Sequence, residues 1–251
     1  MPDKLDPAEH VRPFVWDDVN TKSLHFSISE LQSRMRLEKP DALDVEYTRA
    51  MMGFLLFNAR PASIAMIGLG GGSLAKFCHR HLPDAHITVA EINPHVIALR
   101  DEFRVPSDDE RFRVLQADGA NYVRDTSQRH DVLLVDGYDY DGMPESLASQ
   151  SFYDACHQVL SPHGLLVVNL HIEHPDYALL VGRIERSFEA HVLRVHVKRE
   201  GNVIVFASKT PFSERQRLGV LSQPQTLGQQ AWGELRPTFA QIVTTLQELQ
   251  P

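Results

Sequence analysis

The sequence has few cysteines and no long apolar run, and each shortage excludes a class of protein. Two cysteines, Cys78 and Cys156, occur among 251 residues, and their number and spacing fit neither a disulfide framework nor a zinc site. No stretch approaches the 18 apolar residues of a membrane-spanning helix, and residues 1–12 lack the apolar core of a secretory signal. We expect a soluble, cytoplasmic protein with both thiols buried in helices and no bound metal.

Positive charge is also scarce. The 25 lysines and arginines are outnumbered by 33 aspartates and glutamates, which gives a formal net charge of −8. Nucleic-acid partners are held by clustered basic side chains, so this balance disfavours them. With 43% hydrophobic residues, the chain is long enough to bury the core of an enzyme, and its acidity suits a small cationic ligand.

The hydrophobic pattern divides the chain into a small first part and a large second part. Alternating residues at 23–28 and 32–37 predict a short N-terminal β-hairpin within residues 1–42. Apolar residues at helical spacing over 43–57 predict a helix that leads into a catalytic domain at 43–251.

From residue 63 onward, apolar runs of strand length alternate with helical segments. The runs lie at 64–67, 87–90, 114–115, 132–135 and 165–170. Continuous apolar strands are typical of a parallel sheet covered by helices on both faces, so we expect a Rossmann-like α/β fold. A helix at 175–188, an antiparallel hairpin from 192–197 and 203–207, and C-terminal helices docked by Trp232 and Phe239 complete the prediction.

A glycine-rich loop follows the first of these strands and precedes a helix. Gly68, Gly70, Gly71 and Gly72 lack Cβ atoms, so the backbone can turn tightly and lie against a ligand. The loop has neither the third glycine of the dinucleotide pattern nor the Lys-Ser/Thr of a P-loop. The pattern therefore indicates a nucleoside site rather than a pyrophosphate site.

Acidic residues close the next two strands. Glu91, followed by Ile92, can accept hydrogen bonds from ribose hydroxyls, and Asp118, followed by Gly119, can accept one from an adenine amine. Taken singly, Glu91 reads as a surface acid and Asp118 as a helix N-cap. Their joint position at successive strand ends predicts that they bind the nucleoside together with the glycine loop.

The fourth strand ends in an acidic cluster. Asp136 stands at the strand end, and Asp139 and Asp141 lie in the loop beyond it. Carboxylates this close repel one another unless they are solvated or face a cation. The cluster is therefore either a solvated turn or a site for a cationic substrate.

The stretch around this cluster carries a family resemblance. Asp-Val-Leu-Leu-Val-Asp-Gly-Tyr-Asp at 131–139 is followed by Pro-Glu-Ser-Leu at 144–147, Phe-Tyr at 152–153 and Leu-Ser-Pro-His-Gly at 160–164. With these motifs the chain resembles the polyamine aminopropyltransferases, the spermidine and spermine synthase family. The resemblance implies a sheet of the S-adenosylmethionine-dependent methyltransferase type and a homodimer. It also implies aminopropyl transfer from decarboxylated S-adenosylmethionine to an amine such as putrescine, which releases methylthioadenosine.

The resemblance also implies roles for individual residues. The implied catalytic residues are Asp136, Asp139 and Tyr47: Asp136 corresponds to the catalytic aspartate, and Asp139 to an aspartate that helps bind the amine. The implied substrate-binding residues are Gln32, Tyr138, Asp139 and Asp141. The implied nucleoside-binding residues are Gly68, Gly70, Gly71, Gly72, Glu91, Ile92, Asp118, Gly119 and Asp136.

The chemistry of the transfer explains why a carboxylate is needed at position 136. An alkylamine with a pKa of about 10.4 is neutral in roughly one molecule in 2,500 at pH 7, a penalty of about 4.6 kcal/mol before it can attack carbon. Asp136, assisted by Tyr47 or Tyr138, can orient the ammonium group and take its proton.

The sequence departs from the family pattern at the aminopropyl and amine contacts. Gly71 stands where the family has an aspartate, Thr48 replaces a histidine, Gly137 a serine and Asn169 a glutamine. Two alternatives therefore stay open. One is a methyltransferase that uses intact S-adenosylmethionine, whose carboxylate would need a cationic or backbone-amide partner near residues 70–73. Lys76, expected to be an exposed helix residue, is a possible partner. The other is a non-catalytic homologue that binds a nucleoside or polyamine.

Overall fold

A computed structural model of the chain describes residues 5–28, 30–138, 142–197, 201–212 and 221–248. Ten strands are described: β1 Phe14–Asp17, β2 Thr21–Ser27, β3 Glu30–Arg36, β4 Ser63–Ile67, β5 His86–Glu91, β6 Phe112–Gln116, β7 His130–Val135, β8 Leu160–His171, β9 Val192–His196 and β10 Asn202–Ser208. The α-helices are α1 Glu46–Met51, α2 Ser73–His81, α3 Pro94–Ile97, α4 Gly119–Asp125, α5 Glu145–Ala148, α6 Gln150–Val159, α7 Tyr177–Ser187 and α8 Gln229–Glu248.

The main sheet has seven strands in the order β6-β5-β4-β7-β8-β10-β9. The strands from β6 to β8 are parallel, whereas β10 runs antiparallel to both β8 and β9. The predicted α/β fold and its antiparallel edge hairpin are confirmed. Because β4 lies between β5 and β7, the strand order reverses at β4, and the carboxyl ends of these strands enclose a crevice where α/β proteins bind ligands.

Both faces of the sheet are buried, which explains the continuous apolar runs. Ile64 and Met66 of β4 belong to one hydrophobic cluster, which includes residues of α2 and α8. Ala65 and Ile67 belong to a second cluster on the opposite face, which includes residues of α4, α6 and α7. Successive side chains of a strand point to opposite faces of the sheet. Where helices cover both faces, consecutive residues are apolar and do not alternate with polar ones.

The N-terminal hairpin is confirmed as β2 and β3, and a further strand extends it. β1 pairs antiparallel with β2, which makes a small three-stranded sheet. The sequence does not predict β1 as a strand of its own, because four residues are too few to show an alternation of apolar and polar side chains. The Phe14 ring stacks on His25 of β2 with centroids 5.3 Å apart, and this contact helps to hold the added strand.

The helices on either side of the seven-stranded sheet follow the sequence closely. The helix predicted at 43–57 is realised as α1 followed by a 3₁₀ turn over Met52–Leu56. Phe239 of α8 is fully buried, and its ring packs edge-on against Trp232 at 6.0 Å. Both cysteines are buried in helices as predicted. Among the residues with described structure, no helix is both long and apolar enough to span a bilayer.

The prediction that Lys76 of α2 is exposed is wrong. The sequence places it on an exposed helix face, whereas its side chain is buried and Nζ donates a hydrogen bond to the Phe103 carbonyl at 2.8 Å. Helical spacing could not reveal this, because the partner is a backbone oxygen far along the chain. Burial lowers the pKa of Lys76 to about 7.

We expect this amine to make stability depend on pH. Between pH 7 and about 10.5 the unfolded chain holds the Lys76 proton and the folded chain does not, so folding becomes more favourable as pH rises. Lys76→Met should remove a rise of up to roughly 4 kcal/mol in the free energy of unfolding. Urea denaturation at several pH values in this window measures it, with the exposed Lys39→Met as control. Equal pH slopes in wild type and Lys76→Met would contradict the assignment.

Candidate functional site

A cavity of about 940 Å³ opens at the carboxyl ends of β4, β5, β6 and β7. Ten of the predicted catalytic and binding residues line it together: Gln32, Tyr47, Gly68, Gly70, Glu91, Ile92, Asp118, Gly119, Asp136 and Tyr138. Gly71 and Gly72 are not among its lining residues, and Asp139 and Asp141 lie outside the described residues. The fold thus brings residues from distant parts of the chain to one cavity.

Gly68 allows the glycine loop to lie close to Asp136, the residue that directly follows β7. Its φ of +95° is a conformation that side chains disfavour, and a Cβ atom there would overlap the carbonyl oxygen of Asp136. The Asp136 amide donates to the Ile67 carbonyl at 2.9 Å, so the two strand ends remain in register. The glycine permits this close approach and thereby sets the distance between the loop and Asp136.

Gly71 faces the N-terminal sheet rather than the cavity. A Cβ atom at this position would lie 2.7 Å from Ser33 Oγ and 2.8 Å from a ring carbon of Phe103. Ser33 lines the cavity instead, and its hydroxyl is 3.3 Å from that of Ser73 at the start of α2. This end of the cavity therefore has hydroxyl groups where the family resemblance leads one to expect a carboxylate.

Glu91 is buried and joins two backbone segments of the cavity wall. Its Oε2 accepts a hydrogen bond from the Leu69 amide, and Oε1 accepts one from the Asn93 amide, both at 2.8 Å. Burial raises the pKa of Glu91, and these backbone donors oppose that rise. Carboxylate oxygens can each accept more than one hydrogen bond, so Glu91 keeps acceptor capacity for a ligand hydroxyl.

Asp118 caps α4 and also lines the cavity. Its Oδ1 accepts hydrogen bonds from the Ala120 amide at 2.8 Å and the Asn121 amide at 3.1 Å. The N-cap interpretation of this residue is therefore confirmed. The cap also fixes the carboxylate at the cavity wall, so capping and ligand binding are compatible.

Asp136 accepts a side-chain hydrogen bond at each of its carboxylate oxygens. Tyr47 donates its hydroxyl hydrogen to Oδ2 at 3.0 Å, and Asn169 donates an amide hydrogen to Oδ1 at 2.9 Å. Burial raises the pKa of Asp136, and the hydrogen bonds from Asn169 and Tyr47 act against that rise. A fixed carboxylate with a raised pKa is suited to accept a proton from a bound substrate.

Tyr138 does not support Asp136 as the sequence suggested. Its hydroxyl donates to the backbone carbonyl of Asn169 at 3.0 Å, and its ring packs edge-on against His171 at 5.5 Å. Of the two tyrosines predicted to assist Asp136, Tyr47 is the one that is hydrogen-bonded to its carboxylate. Sequence order could not decide this, because both tyrosines reach the same cavity.

Sequence reasoning missed several residues of the site. Glu9, His10 and Val11 form part of the cavity wall, and Asn93 Nδ2 donates to the Val11 carbonyl at 2.9 Å. Such side-chain contacts to backbone carbonyls leave no hydrophobic pattern to read. Asn202 was also missed, although a polar residue at the start of an otherwise apolar strand is a recognisable signal.

Comparison with known proteins places the chain in a family. Residues 44–212 match the spermine/spermidine synthase domain. The chain is 38% identical over 216 residues to a polyamine aminopropyltransferase of Neisseria meningitidis serogroup A, covering 84% of this chain and 82% of the relative. It is 39% identical over 207 residues to a polyamine aminopropyltransferase of Chromobacterium violaceum, covering 81% and 79% of the two chains.

Solved structures agree on the fold. A probable spermidine synthase from Corynebacterium glutamicum superposes with a TM-score of 0.69 at 20% identity, over 80% of this chain and 77% of that chain. Human methyltransferase-like protein 13, solved in complex with SAH, superposes with a TM-score of 0.60 at 23% identity, over 82% and 95%. The extent of the domain match and the identity to full-length relatives show that the chain belongs to the spermine/spermidine synthase family and is an enzyme of the aminopropyltransferase type.

Proposed function

We propose that the chain transfers an aminopropyl group from decarboxylated S-adenosylmethionine to an amine such as putrescine, releasing methylthioadenosine. The observation that carries the proposal is the position of Asp136, which shares one cavity with Glu91 and Asp118 and is fixed by Tyr47 and Asn169. The names of the relatives support the same activity.

The nucleoside is proposed to lie across the strand ends. Glu91 at the end of β5 would accept hydrogen bonds from the ribose hydroxyls, and Asp118 after β6 would accept one from the adenine amine. The backbone of Gly68 and Gly70 would lie along the nucleoside, because these glycines line the cavity without side chains. In this pose the sulfonium group points toward Asp136.

The transfer is then a direct displacement. The acceptor nitrogen forms a bond to the propyl carbon, the carbon–sulfur bond breaks, and its electron pair stays on sulfur as a neutral thioether. Asp136 holds the incoming ammonium group and takes the proton that nitrogen must lose. Because Tyr47 and Asn169 fix both carboxylate oxygens, the acceptor is oriented before it reacts.

The charge of the cavity favours cationic substrates. Glu9, Glu91, Asp118 and Asp136 line it, and no lysine or arginine is found among its lining residues within the described ranges. Lys76, the possible partner for a donor carboxylate, is bonded to the Phe103 carbonyl and is not a lining residue. These facts favour the decarboxylated donor over intact S-adenosylmethionine, because the described part of the cavity wall offers no lysine or arginine to pair with the donor carboxylate.

A product assay tests the proposal. The enzyme is incubated with putrescine and either decarboxylated or intact S-adenosylmethionine, and products are identified by mass spectrometry. The proposal predicts methylthioadenosine and an aminopropylated amine with the decarboxylated donor alone. Methylated amine from the intact donor would establish the methyltransferase alternative, and no product from either donor would establish the non-catalytic one.

Tyr47→Phe should shift the pH dependence of transfer. The Tyr47 hydroxyl lowers the pKa of Asp136, so its loss raises that pKa. Because transfer needs ionised Asp136, the acidic limb of the kcat/KM profile should move up by about 0.5 to 1 pH unit. Tyr122→Phe is a matched control, because it also removes a hydroxyl bond, to His130 at 3.0 Å, outside the cavity. Coincident profiles for Tyr47→Phe and wild type would contradict this role.

We propose that the chain forms a homodimer, as the family resemblance implies, and an apolar surface on β1 supports this proposal. Phe14 and Trp16 of β1 are 38% and 64% exposed. Light scattering after gel filtration measures the mass, and a mass of one chain would contradict the proposal.

A further inference from the structure

We propose that Asn202 is a positioning residue for the transfer. It fixes which way the Asn169 amide faces, so that the NH₂ group of Asn169 continues to donate a hydrogen bond to Asp136. The inference rests on the proposed role of Asp136 as the group that accepts the proton. Asn202 itself does not contact the reacting atoms in this account. It acts through Asn169.

The side chains of Asn202, Asn169 and Asp136 form a series of hydrogen bonds in the cavity wall. Asn202 Nδ2 donates to Asn169 Oδ1 at 2.8 Å, and Asn169 Nδ2 donates to Asp136 Oδ1 at 2.9 Å. Asn169 and Asn202 are only 3% and 4% exposed. They lie on the adjacent strands β8 and β10, so the strand pairing fixes the distance between them.

Which group donates and which accepts in these hydrogen bonds depends on how the side-chain amides are oriented. A side-chain amide has a donor end and an acceptor end of nearly equal shape, and turning it over exchanges the two. If Asn169 turned over, its oxygen would face the Asp136 carboxylate and its NH₂ group would face the NH₂ group of Asn202. Both contacts would then be repulsive, so the donor of Asn202 selects the orientation that serves Asp136.

Other contacts hold Asn202 and Asn169 in place. Asn202 Nδ2 is also 3.3 Å from His171 Nε2, so both of its amide hydrogens have an acceptor when that nitrogen is unprotonated. Tyr138 donates to the backbone carbonyl of Asn169 at 3.0 Å and packs against His171. Asn169 is thus restrained at its side chain and at its backbone.

Two substitutions at Asn202 separate positioning from packing. Asn202→Asp keeps the shape but replaces the donor with an acceptor, so the Asn169 amide should turn over and present oxygen to Asp136. Asn202→Leu removes the donor and leaves Asn169 free to take either orientation. The direct readout is the titration of the Asp136 carboxyl, followed by carbon-13 NMR and assigned with Asp136→Asn. Within the described ranges, the titratable groups that face this carboxyl are Tyr47, Tyr138 and His171.

We expect the Asp136 titration to move up by about one pH unit in Asn202→Asp and by less in Asn202→Leu. At neutral pH, kcat should fall by about 10- to 100-fold in Asn202→Asp, while KM for the donor stays within about threefold. Ser208→Ala is the control for general damage, because Ser208 is another fully buried polar residue of β10. It should leave both the titration and kcat unchanged.

The Asn169→Leu background distinguishes the proposed path from a direct charge effect. There, Asn202→Asp should shift the Asp136 titration by clearly less than it does in the wild-type background. An equal shift in both backgrounds, or an Asp136 titration that moves in neither Asn202 variant, would overturn the inference. If Asn202→Asp does not fold, Asn202→Leu decides the question alone. A shifted titration in a protein that makes no aminopropylated product would support the positioning role and refute the proposed function.

Discussion

Asp136→Asn is expected to lower aminopropyl transfer by about 10²- to 10⁴-fold and to leave methylthioadenosine affinity within about threefold. The substitution keeps the shape of the side chain, which still lies next to Tyr47 and Asn169. It removes the negative charge and the capacity to take a proton from the acceptor amine. Because the nucleoside is proposed to be held mainly by Glu91 and Asp118, its binding should change little. Steady-state assays and calorimetry on the same preparation measure the two quantities.

Asp131→Asn is the matched control for this experiment. Asp131 lies in β7, the strand that Asp136 directly follows, and its oxygens accept hydrogen bonds from the Ala62 amide at 2.8 Å and the Ser161 hydroxyl at 2.8 Å. Its role is therefore structural, and we expect a lower melting temperature with nearly normal turnover. If Asp136→Asn retained wild-type transfer, the identity of the proton acceptor would be wrong.

Glu91→Gln is expected to weaken methylthioadenosine binding by about 10- to 150-fold, which corresponds to roughly 1.5–3 kcal/mol for a lost charge-assisted hydrogen bond. The carboxylate is proposed to accept bonds from the ribose while it holds the amides of Leu69 and Asn93. A glutamine amide has one acceptor and cannot serve all of these donors. The glycine loop should therefore be less well fixed as well.

Calorimetry with methylthioadenosine measures this loss, and the melting temperature of each variant shows how much of the protein is folded. Glu102→Gln serves as the control, because Glu102 pairs with Lys22 at 3.2 Å and does not line the cavity. An affinity of Glu91→Gln equal to that of wild type would refute the ribose contact. Weakened binding in Glu102→Gln would show that loss of a glutamate in general, not of this contact, is responsible.

Much of the fold could be predicted because burial on both faces leaves a clear trace in the sequence. Residues 64–67 of β4 and 132–135 of β7 are apolar on both faces of the sheet, so they stand out as short apolar runs. Parallel strands also end at the same edge of a sheet. Glu91, Asp118 and Asp136 could therefore be expected to meet from their positions after successive strands, and all three line one cavity.

The rest could not be predicted, because it depends on contacts between distant backbone and side-chain atoms. The cavity wall formed by residues 9–11 is held by Asn93, more than eighty positions away, through a carbonyl that any residue carries. The environment of Gly71 depends on Ser33 and Phe103, which reach it only in the folded chain. Helix periodicity placed Lys76 outside for the same reason, since its partner is a carbonyl of a loop.

A crystal structure of the protein with methylthioadenosine and putrescine tests the central claim most directly. We predict that the ribose hydroxyls contact the Glu91 carboxylate, that the adenine amine lies at Asp118, and that a putrescine nitrogen lies within hydrogen-bonding distance of Asp136. A nucleoside bound outside this cavity, or a putrescine nitrogen remote from Asp136 with the nucleoside in place, would contradict the account.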